Sequence, residues 1–369
     1  MTFKSCISLC MMMLSLFGFA QNERTSIPYS WIQGNNLSID IPFETVGPID
    51  VGALMQQDFE DQEDKTSPFR FAHSITVSLG TNESGRWIQL PNGSRLWVQG
   101  VEGIDAKGLG FILDDIYLPE GSSLHIYDES HEDLLGEFTY KDNAASGQMV
   151  LPHIRGDRVI LEYFEPLIAR GEGRIQIAGI NYVYKPLTGI GSEIDSNDAC
   201  QVNIHCPDSR DWHTVENSVV RISTDKGTRW GTGVLVNTTD HKTKPYIITS
   251  ANNIVGPTHL INFLFEFESS SCGSENVRAS QFIMGAVVKA VDTSTNLVLL
   301  ELNSSPDSSW GIFYAGWDRS GQKPESAACV HHPRGSLKKC TTTNGQLISN
   351  DNWQSTNVWM VDRWELGVT

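Results

Sequence analysis

Short apolar runs separated by turn-forming residues constrain the fold of this chain more than any other feature of its sequence. Between residues 70 and 185, hydrophobic residues recur at every second position, and clusters such as Pro91-Asn-Gly-Ser94 and Pro119-Glu-Gly-Ser122 lie between the runs. Period-two runs with this punctuation are typical of strands in a β-sandwich. The runs include Ile75, Val77 and Leu79; Leu96 and Val98; Leu109, Phe111 and Leu113; and Val159 to Phe164.

Similar runs resume near residue 218 and continue to the end of the sequence. They lie at Val219–Ile222, Gly233–Val236, Tyr246–Ile248, Ile261–Phe267, Phe282–Val291, Leu297–Leu302, Ile312–Ala315 and Val358–Val361. Both halves therefore predict an all-β protein, and the length of 369 residues predicts two or three domains.

The charge balance excludes one class of partner. The chain has 27 Lys and Arg against 44 Asp and Glu, a formal net charge of −17 at pH 7. Because such an excess of acid repels phosphate backbones, we expect no nucleic acid partner. After the first twenty residues no apolar run is long enough to span a bilayer, so we expect a chain that does not span the membrane.

Residues 1–20 have the pattern of an export signal. Lys4 precedes an apolar stretch that ends at Phe17, and Gly18-Phe-Ala20 provides a small-x-small cleavage site. The mature protein is expected to be secreted or periplasmic. Cleavage after Ala20 removes two of the seven cysteines, and the five that remain are an odd number for an oxidising compartment.

Two segments flank the predicted sandwich. Residues 21–69 contain the acidic cluster Glu60-Asp-Gln-Glu-Asp64, which we interpret as part of a solvated acidic leader and not as a metal site. Residues 186–199 are rich in Gly, Ser and acidic residues, so we expect a linker there. The predicted domains are therefore a signal peptide (1–20), a leader (21–69), a sandwich (70–185), a linker (186–199) and a second β domain (200–369).

Several motifs of the second domain occur in an order that resembles bacterial lysyl endopeptidases, a branch of the trypsin-like serine proteases. They are Cys200-Gln-Val-Asn203, Ser218-Val-Val-Arg-Ile222, Gly231-Thr-Gly-Val-Leu-Val-Asn237, Tyr246-Ile-Ile-Thr249, Leu297-Val-Leu-Leu-Glu-Leu-Asn303, Tyr314-Ala-Gly-Trp-Asp318 and His331-His-Pro333. Residues 70–185 likewise resemble the β-rich pro-region of such proteases. The resemblance implies two six-stranded β-barrels, of which the second is incomplete within this sequence.

The resemblance also assigns positions to the catalytic triad, which needs a His base, an orienting Asp and a Ser nucleophile. The position of the base holds Asn252, and the position of the orienting acid, directly before an apolar strand, holds Asn296. A carboxamide cannot accept the serine proton near neutral pH. The serine would follow Gly367-Val-Thr369, beyond the last residue given.

We therefore expect an inactive homologue of these serine endopeptidases that retains a surface for a peptide or protein ligand. The alternative is a fragment of a longer secreted serine endopeptidase that cleaves proteins after Lys. Self-maturation is not favoured, because residues 186–199 contain no Lys or Arg and Lys185 is followed by Pro186, which resists cleavage.

The cysteines fit the same resemblance. A family disulfide is missing because its two positions hold Gly231 and Asn253, whereas Cys206 and Cys272 match another family pair and are expected to be bonded. The family partner of Cys200 lies in the missing part. Cys329 and Cys340 flank a turn, and we expect them to pair across a hairpin.

No metal and no cofactor is expected from the sequence. His331 and His332 are adjacent, so on a strand they point to opposite faces, and we interpret the His-His-Pro string as a structural landmark. His205 and His213 lack the ligand spacing typical of zinc.

Overall fold

A computed structural model describes residues 27–32, 39–61, 67–185, 201–240, 242–274, 281–353 and 356–367. The predicted signal peptide, the predicted linker and Cys200 lie outside these residues. Strands dominate what is described, and the single α-helix in it has eleven residues, which confirms the all-β class. No helix in the described part is long and apolar enough to cross a membrane.

The described residues of the N-terminal half form one α-helix and eleven strands. They are β1 Phe43–Val46, α1 Val51–Asp61, β2 Phe69–Arg70, β3 Ala72–Gly80, β4 Arg86–Gln89, β5 Arg95–Gly103, β6 Gly108–Tyr117, β7 Ser123–Asp128, β8 Leu134–Phe138, β9 Met149–Arg155, β10 Arg158–Glu165 and β11 Arg174–Val183.

Twelve further strands lie in the described part of the C-terminal half. They are β12 Val202–Asn203, β13 Val219–Thr224, β14 Arg229–Val236, β15 Tyr246–Ser250, β16 Asn262–Phe265, β17 Gln281–Met284, β18 Ala286–Asp292, β19 Leu297–Leu302, β20 Ala327–His331, β21 Lys339–Thr343, β22 Ile348–Trp353 and β23 Thr356–Met360. Short 3-10 turns lie at Tyr29–Trp31, Tyr140–Asp142, Leu167–Ala169, Pro207–Trp212, Val215–Ser218, Asp225–Gly227, Ala251–Asn253, Thr258–Leu260, Ser308–Trp310 and Pro333–Gly335.

Ten of the N-terminal strands form a sandwich. One sheet has the order β1-β5-β10-β7-β8 with β4 on β5, and the other has the order β3-β11-β6-β9. Alternating residues of both sheets point inward and share one core, which includes the fully buried Trp97, Leu161 and Tyr163 from the first sheet and Phe111 and Ile177 from the second. The period-two pattern thus follows the faces of the sheets.

Part of the predicted leader belongs to this sandwich. Strand β1 pairs in parallel with β5, and α1 places Asp58 in a buried position. The Asp58 carboxylate accepts a hydrogen bond from the Arg70 guanidinium (2.7 Å) and lies 2.5 Å from Lys185 Nζ. A buried carboxylate needs cationic partners, which Arg70 and Lys185 provide here. The described part of residues 21–69 is therefore packed against the rest of the fold.

The C-terminal half begins with a barrel. Its strands follow the order β17-β16-β13-β14-β15-β19-β18, and β17 and β18 are two arms of one chain segment that bends at Gly285. Gly285 donates its N–H to the Ile261 carbonyl (2.7 Å), and its own carbonyl accepts from Asn303 N–H (3.0 Å). The bend thereby joins both ends of the sheet and closes six strands around a buried core.

A smaller sheet lies beside the barrel. Among the described residues it has three strands in the order β12-β21-β20, and the hairpin of β22 and β23 follows it along the chain. A bridge between Thr342 and Leu366 extends it slightly. This sheet lies in the part of the chain that the resemblance assigns to the second barrel.

The sandwich and the barrel share an extensive interface. Strand β2 pairs with β14, and the rings of Phe71 and Trp230 stack with centroids 3.4 Å apart. Asn181 donates to the Lys226 carbonyl (2.7 Å), and Asn262 donates to the Val150 carbonyl (2.8 Å).

Candidate functional site

Two asparagines predicted from distant parts of the sequence lie side by side at one end of the barrel. Strands β15 and β19 are antiparallel, with Ser250 opposite Leu297, so the end of one strand meets the start of the other. The chain leaves β15 in a 3-10 turn that contains Asn252, while Asn296 directly precedes β19. The Asn252 N–H donates to Asn296 Oδ1 (3.2 Å), and the Ala251 N–H donates to the Asn296 carbonyl (2.9 Å).

The backbone at Asn296 suits an asparagine. Its φ is +52°, in the left-handed region that Asn and Asp enter more readily than other non-glycine residues. Its side chain and its carbonyl both accept from the turn after β15. Asn296 thereby anchors that turn through uncharged hydrogen bonds.

Asn253 lies against strand β14. An added Cβ at Gly231 would lie 2.6 Å from Asn253 Cγ, so the absence of a side chain at Gly231 leaves the room that the Asn253 carboxamide fills. The same carboxamide donates to Thr249 Oγ1 (3.0 Å). The two positions that the resemblance assigns to a missing disulfide therefore face each other in the fold.

These side chains set the chemistry of the site. Asn252, Asn253 and Asn296 carry no group that titrates near neutral pH, so they can donate and accept hydrogen bonds but cannot remove a proton. Binding and orientation are the tasks open to them.

The C-terminal half is similar to a known protein family. Residues 194–369, just under half of the chain, match the family model described as lysyl endopeptidase, C-terminal domain. This part of the chain is related to lysyl endopeptidases. A solved structure with some likeness is the protease domain of MamO from Magnetospirillum magneticum, 16% identical over 40% of this chain and 70% of that chain, with a TM-score of 0.27. At this TM-score we draw no conclusion from the likeness.

Asp292 is the nearest carboxylate upstream of Asn296 in the lysyl endopeptidase-related domain. It ends β18 opposite Leu297 and accepts from the Ser294 N–H (2.9 Å) and hydroxyl (2.6 Å). These hydrogen bonds hold the pKa of Asp292 below its ordinary value. The carboxylate therefore stabilises its own exposed turn.

One predicted disulfide is present in the domain and another is not. Cys206 and Cys272 are bonded, whereas Cys329 and Cys340 are free thiols. The register explains the second result: Cys329 lies opposite Thr341, and Cys340 lies opposite Val330. Because side chains alternate between faces, a one-residue offset directs the two sulfurs to opposite sides of the hairpin.

The free thiol of Cys329 has an imidazole nearby but is not activated. Its Sγ lies 3.7 Å from His331 Nδ1. Burial, and then the neighbouring Cys340, raise the pKa of Cys329, while burial lowers the pKa of His331. Both groups are therefore held neutral, which is opposite to the thiolate and imidazolium of a cysteine nucleophile.

His332 has a structural position. It is buried, its N–H donates to Thr232 Oγ1 (3.0 Å), and its Nδ1 donates to the Ser336 carbonyl (2.9 Å). Burial, before any other cause, holds the pKa of His332 well below its ordinary value. These contacts agree with the interpretation that the His-His-Pro string has a structural role.

A group of ionisable side chains was not found from sequence spacing. His205, Glu216 and Glu268 approach each other beside the bond between Cys206 and Cys272, and the buried Lys338 pairs with Glu268. Their separations along the chain follow no ligand motif. Of the two histidines considered in the sequence, His205 belongs to this group and His213 does not. His213 Nε2 instead donates a hydrogen bond to the Ile204 carbonyl (3.0 Å).

Proposed function

We propose that this chain is an exported, non-catalytic homologue of lysyl endopeptidases that binds a peptide or protein ligand. The observation that carries the proposal is the hydrogen-bonded pair of Asn252 and Asn296 at the end of the barrel. By the resemblance, these positions belong to the general base and to the residue that orients it.

The expected loss of activity is large. Exchange of the triad Asp for Asn alone lowers turnover by about 10⁴-fold in a trypsin-type protease, because the histidine adopts the wrong tautomer. Here the base position is also a carboxamide, which cannot accept the serine proton at any working pH. Either replacement alone lowers triad catalysis by orders of magnitude, and the two together favour ligand binding as the task of this end of the barrel.

Export is supported by two features. The first twenty residues have the pattern of a signal peptide, and the disulfide between Cys206 and Cys272 suits an oxidising compartment. The matched family is one of extracellular-type proteases, in which both features are expected.

The proposal is tested with lysyl and arginyl amide substrates. The full chain is assayed beside an Asn252→His, Asn296→Asp double variant and beside an active lysyl endopeptidase as positive control. We expect no turnover by the unaltered chain. Turnover that a serine-directed inhibitor abolishes would instead favour the alternative, a secreted serine endopeptidase that cleaves after Lys, for which the family match is the supporting observation.

A further inference from the structure

We propose that His205, Glu216 and Glu268 form a binding site for one divalent transition metal ion, with Zn²⁺ as the best-fitting ion. One ligand atom from each of the three residues lies within 4.8 Å of the other two. The inference is independent of the proposed function, because it rests on side chains that are distinct from Asn252 and Asn296.

The fold brings the three donors together from three chain segments. His205 follows β12, Glu216 lies in the 3-10 turn Val215–Ser218, and Glu268 follows β16. The Cys206–Cys272 disulfide fixes two of these segments, because it joins the neighbour of His205 to the loop just after Glu268. The covalent link therefore holds two donors in place before any ion binds.

The distances fit a small ion. His205 Nε2 and Glu268 Oε1 are 3.3 Å apart. Ligands at about 2.0–2.2 Å from a tetrahedral zinc ion lie about 3.3 Å from one another. This pair thus already has the separation that zinc demands, and a carboxylate oxygen of Glu216 lies within 4.8 Å of both atoms.

The donor types favour a transition metal over Ca²⁺ or Mg²⁺. Ca²⁺ and Mg²⁺ prefer sites made of oxygen alone, whereas an imidazole beside carboxylates suits zinc. Glu216 and Glu268 are buried, and the His205 side chain is 23% exposed. The imidazole therefore marks the side from which an ion enters.

Lys338 supports this arrangement as an outer partner. Its fully buried Nζ lies 2.8 Å from Glu268 Oε2, the oxygen that does not face His205. The ion pair orients the other oxygen of Glu268 toward the site, as outer hydrogen-bond partners of metal ligands do. Glu268 would bind the ion through Oε1 alone.

A bound ion would connect the barrel to the smaller sheet. His205 lies two residues after β12, which pairs with β21, while Glu268 lies three residues after the barrel strand β16. The expected role is structural, because an ion that binds the folded chain and not the unfolded chain raises the stability of the fold.

The test is a metal titration of the full exported chain, without a histidine tag and with its free thiols alkylated. The chain is stripped with a chelator, dialysed and titrated with Zn²⁺, and bound metal is measured by elemental analysis. We expect one zinc per chain and a higher midpoint of thermal unfolding. Co²⁺ in place of Zn²⁺ should give weak visible bands of nitrogen and oxygen coordination.

Two variants assign the ligands. Glu216→Gln preserves the shape of the side chain, and His205→Gln changes a partly exposed one, so that at least one of the two is expected to fold by circular dichroism. Each should weaken zinc binding by about tenfold or more, since even the loss of an outer partner costs about 10- to 100-fold. His259→Gln, which removes an exposed imidazole from the same domain, should bind as the unaltered chain does.

Either of two results would overturn the proposal. One is retention of less than one zinc per chain at saturating Zn²⁺. The other is zinc binding that a folded Glu216→Gln or His205→Gln variant retains at full affinity, since the ion would then lie elsewhere.

Discussion

At the residue scale, a disulfide introduced at positions 231 and 253 tests the correspondence between this chain and the lysyl endopeptidases. A Cβ at Gly231 would come within 2.6 Å of Asn253 Cγ, so side chains at these two positions point at each other. We predict that a Gly231→Cys, Asn253→Cys double variant forms this bond, seen as a loss of two mass units and of free thiol. The bond should raise the free energy of unfolding by about 2–4 kcal/mol.

The single variant Gly231→Cys is the control. Without its partner the new side chain collides with the Asn253 carboxamide, so it should be less stable than the unaltered chain. Failure of the double variant to oxidise in air would contradict the alignment that also assigns Asn252.

His153 predicts acid sensitivity at the interface between sandwich and barrel. Burial first, and then the nearby Arg221, lower its pKa to about 3, from 6.5 in the unfolded chain. Between these two values the unfolded chain binds a proton that the folded chain does not, so stability falls as the pH falls through this window. His153→Gln should flatten the pH dependence of the unfolding free energy between pH 6.5 and 4.

His73→Gln, which replaces an exposed imidazole, is the matched control substitution. The pKa of the buried His332 is also lowered, so part of the pH dependence of the unfolding free energy should remain in His153→Gln. An unchanged slope in His153→Gln would contradict the assignment.

At the residue scale the sequence predicted positions better than pairings. The adjacency of Asn252 and Asn296 follows from two motifs that end or begin strands, and the structure brings these residues together. The expected bond between Cys329 and Cys340 depended on a hairpin register, and a one-residue offset reverses the face of a side chain. Registers of this kind are set by the whole sheet and cannot be read from the turn alone.

Among the elements, the bent pair of β17 and β18 decides whether the barrel closes. Gly285 has φ of +83°, and an added Cβ would lie 2.9 Å from the His259 carbonyl and still closer to the Asn303 side chain. We predict that Gly285→Ala lowers the free energy of unfolding by about 1–3 kcal/mol from the backbone conformation alone, with the clash in addition. Chemical denaturation followed by tryptophan fluorescence measures the loss.

Gly316→Ala is the companion variant. No atom lies within 4 Å of its added Cβ, and its backbone is not left-handed, so it should change stability little. Equal stability of the Gly285 variant and the unaltered chain would show that the bend does not need glycine.

Two segments show where the local sequence pattern was insufficient to predict secondary structure. Residues 312–315 were predicted as a strand, yet they contribute one isolated bridge, from Ala315 to Val236. Their apolar side chains Ile312 and Tyr314 pack against the barrel core instead. Helix α1 was not predicted within the acidic leader, because its position depends on Asp58, whose partner Lys185 is remote in sequence.

At the scale of the whole molecule, the sandwich and the barrel should behave as one cooperative unit. Phe71 is fully buried in its stack on Trp230, and Lys185, the last described residue of the sandwich, is buried against Asp58. We predict a single thermal transition, and co-elution of the two halves after cleavage at a protease site engineered into residues 186–199. Phe71→Ala should separate the cleaved halves on a sizing column.

The matched change Phe59→Ala removes an aromatic ring that is 73% exposed, and it should leave the halves together. Separation of the unaltered halves after cleavage would contradict the interface. Sequence alone predicted two β-rich parts, but it could not predict this contact, which joins Phe71, between β2 and β3, to Trp230 of β14.

The proposed function requires that the chain has no working serine nucleophile. The most direct measurement is the intact mass of the full exported chain after incubation with a serine-directed phosphonate, beside an active lysyl endopeptidase treated in the same way. The account predicts full labelling of the active enzyme and an unchanged mass for this chain, because neither Asn252 nor Asn296 can activate a serine. Addition of one phosphonyl group per chain, on a single serine, would contradict it.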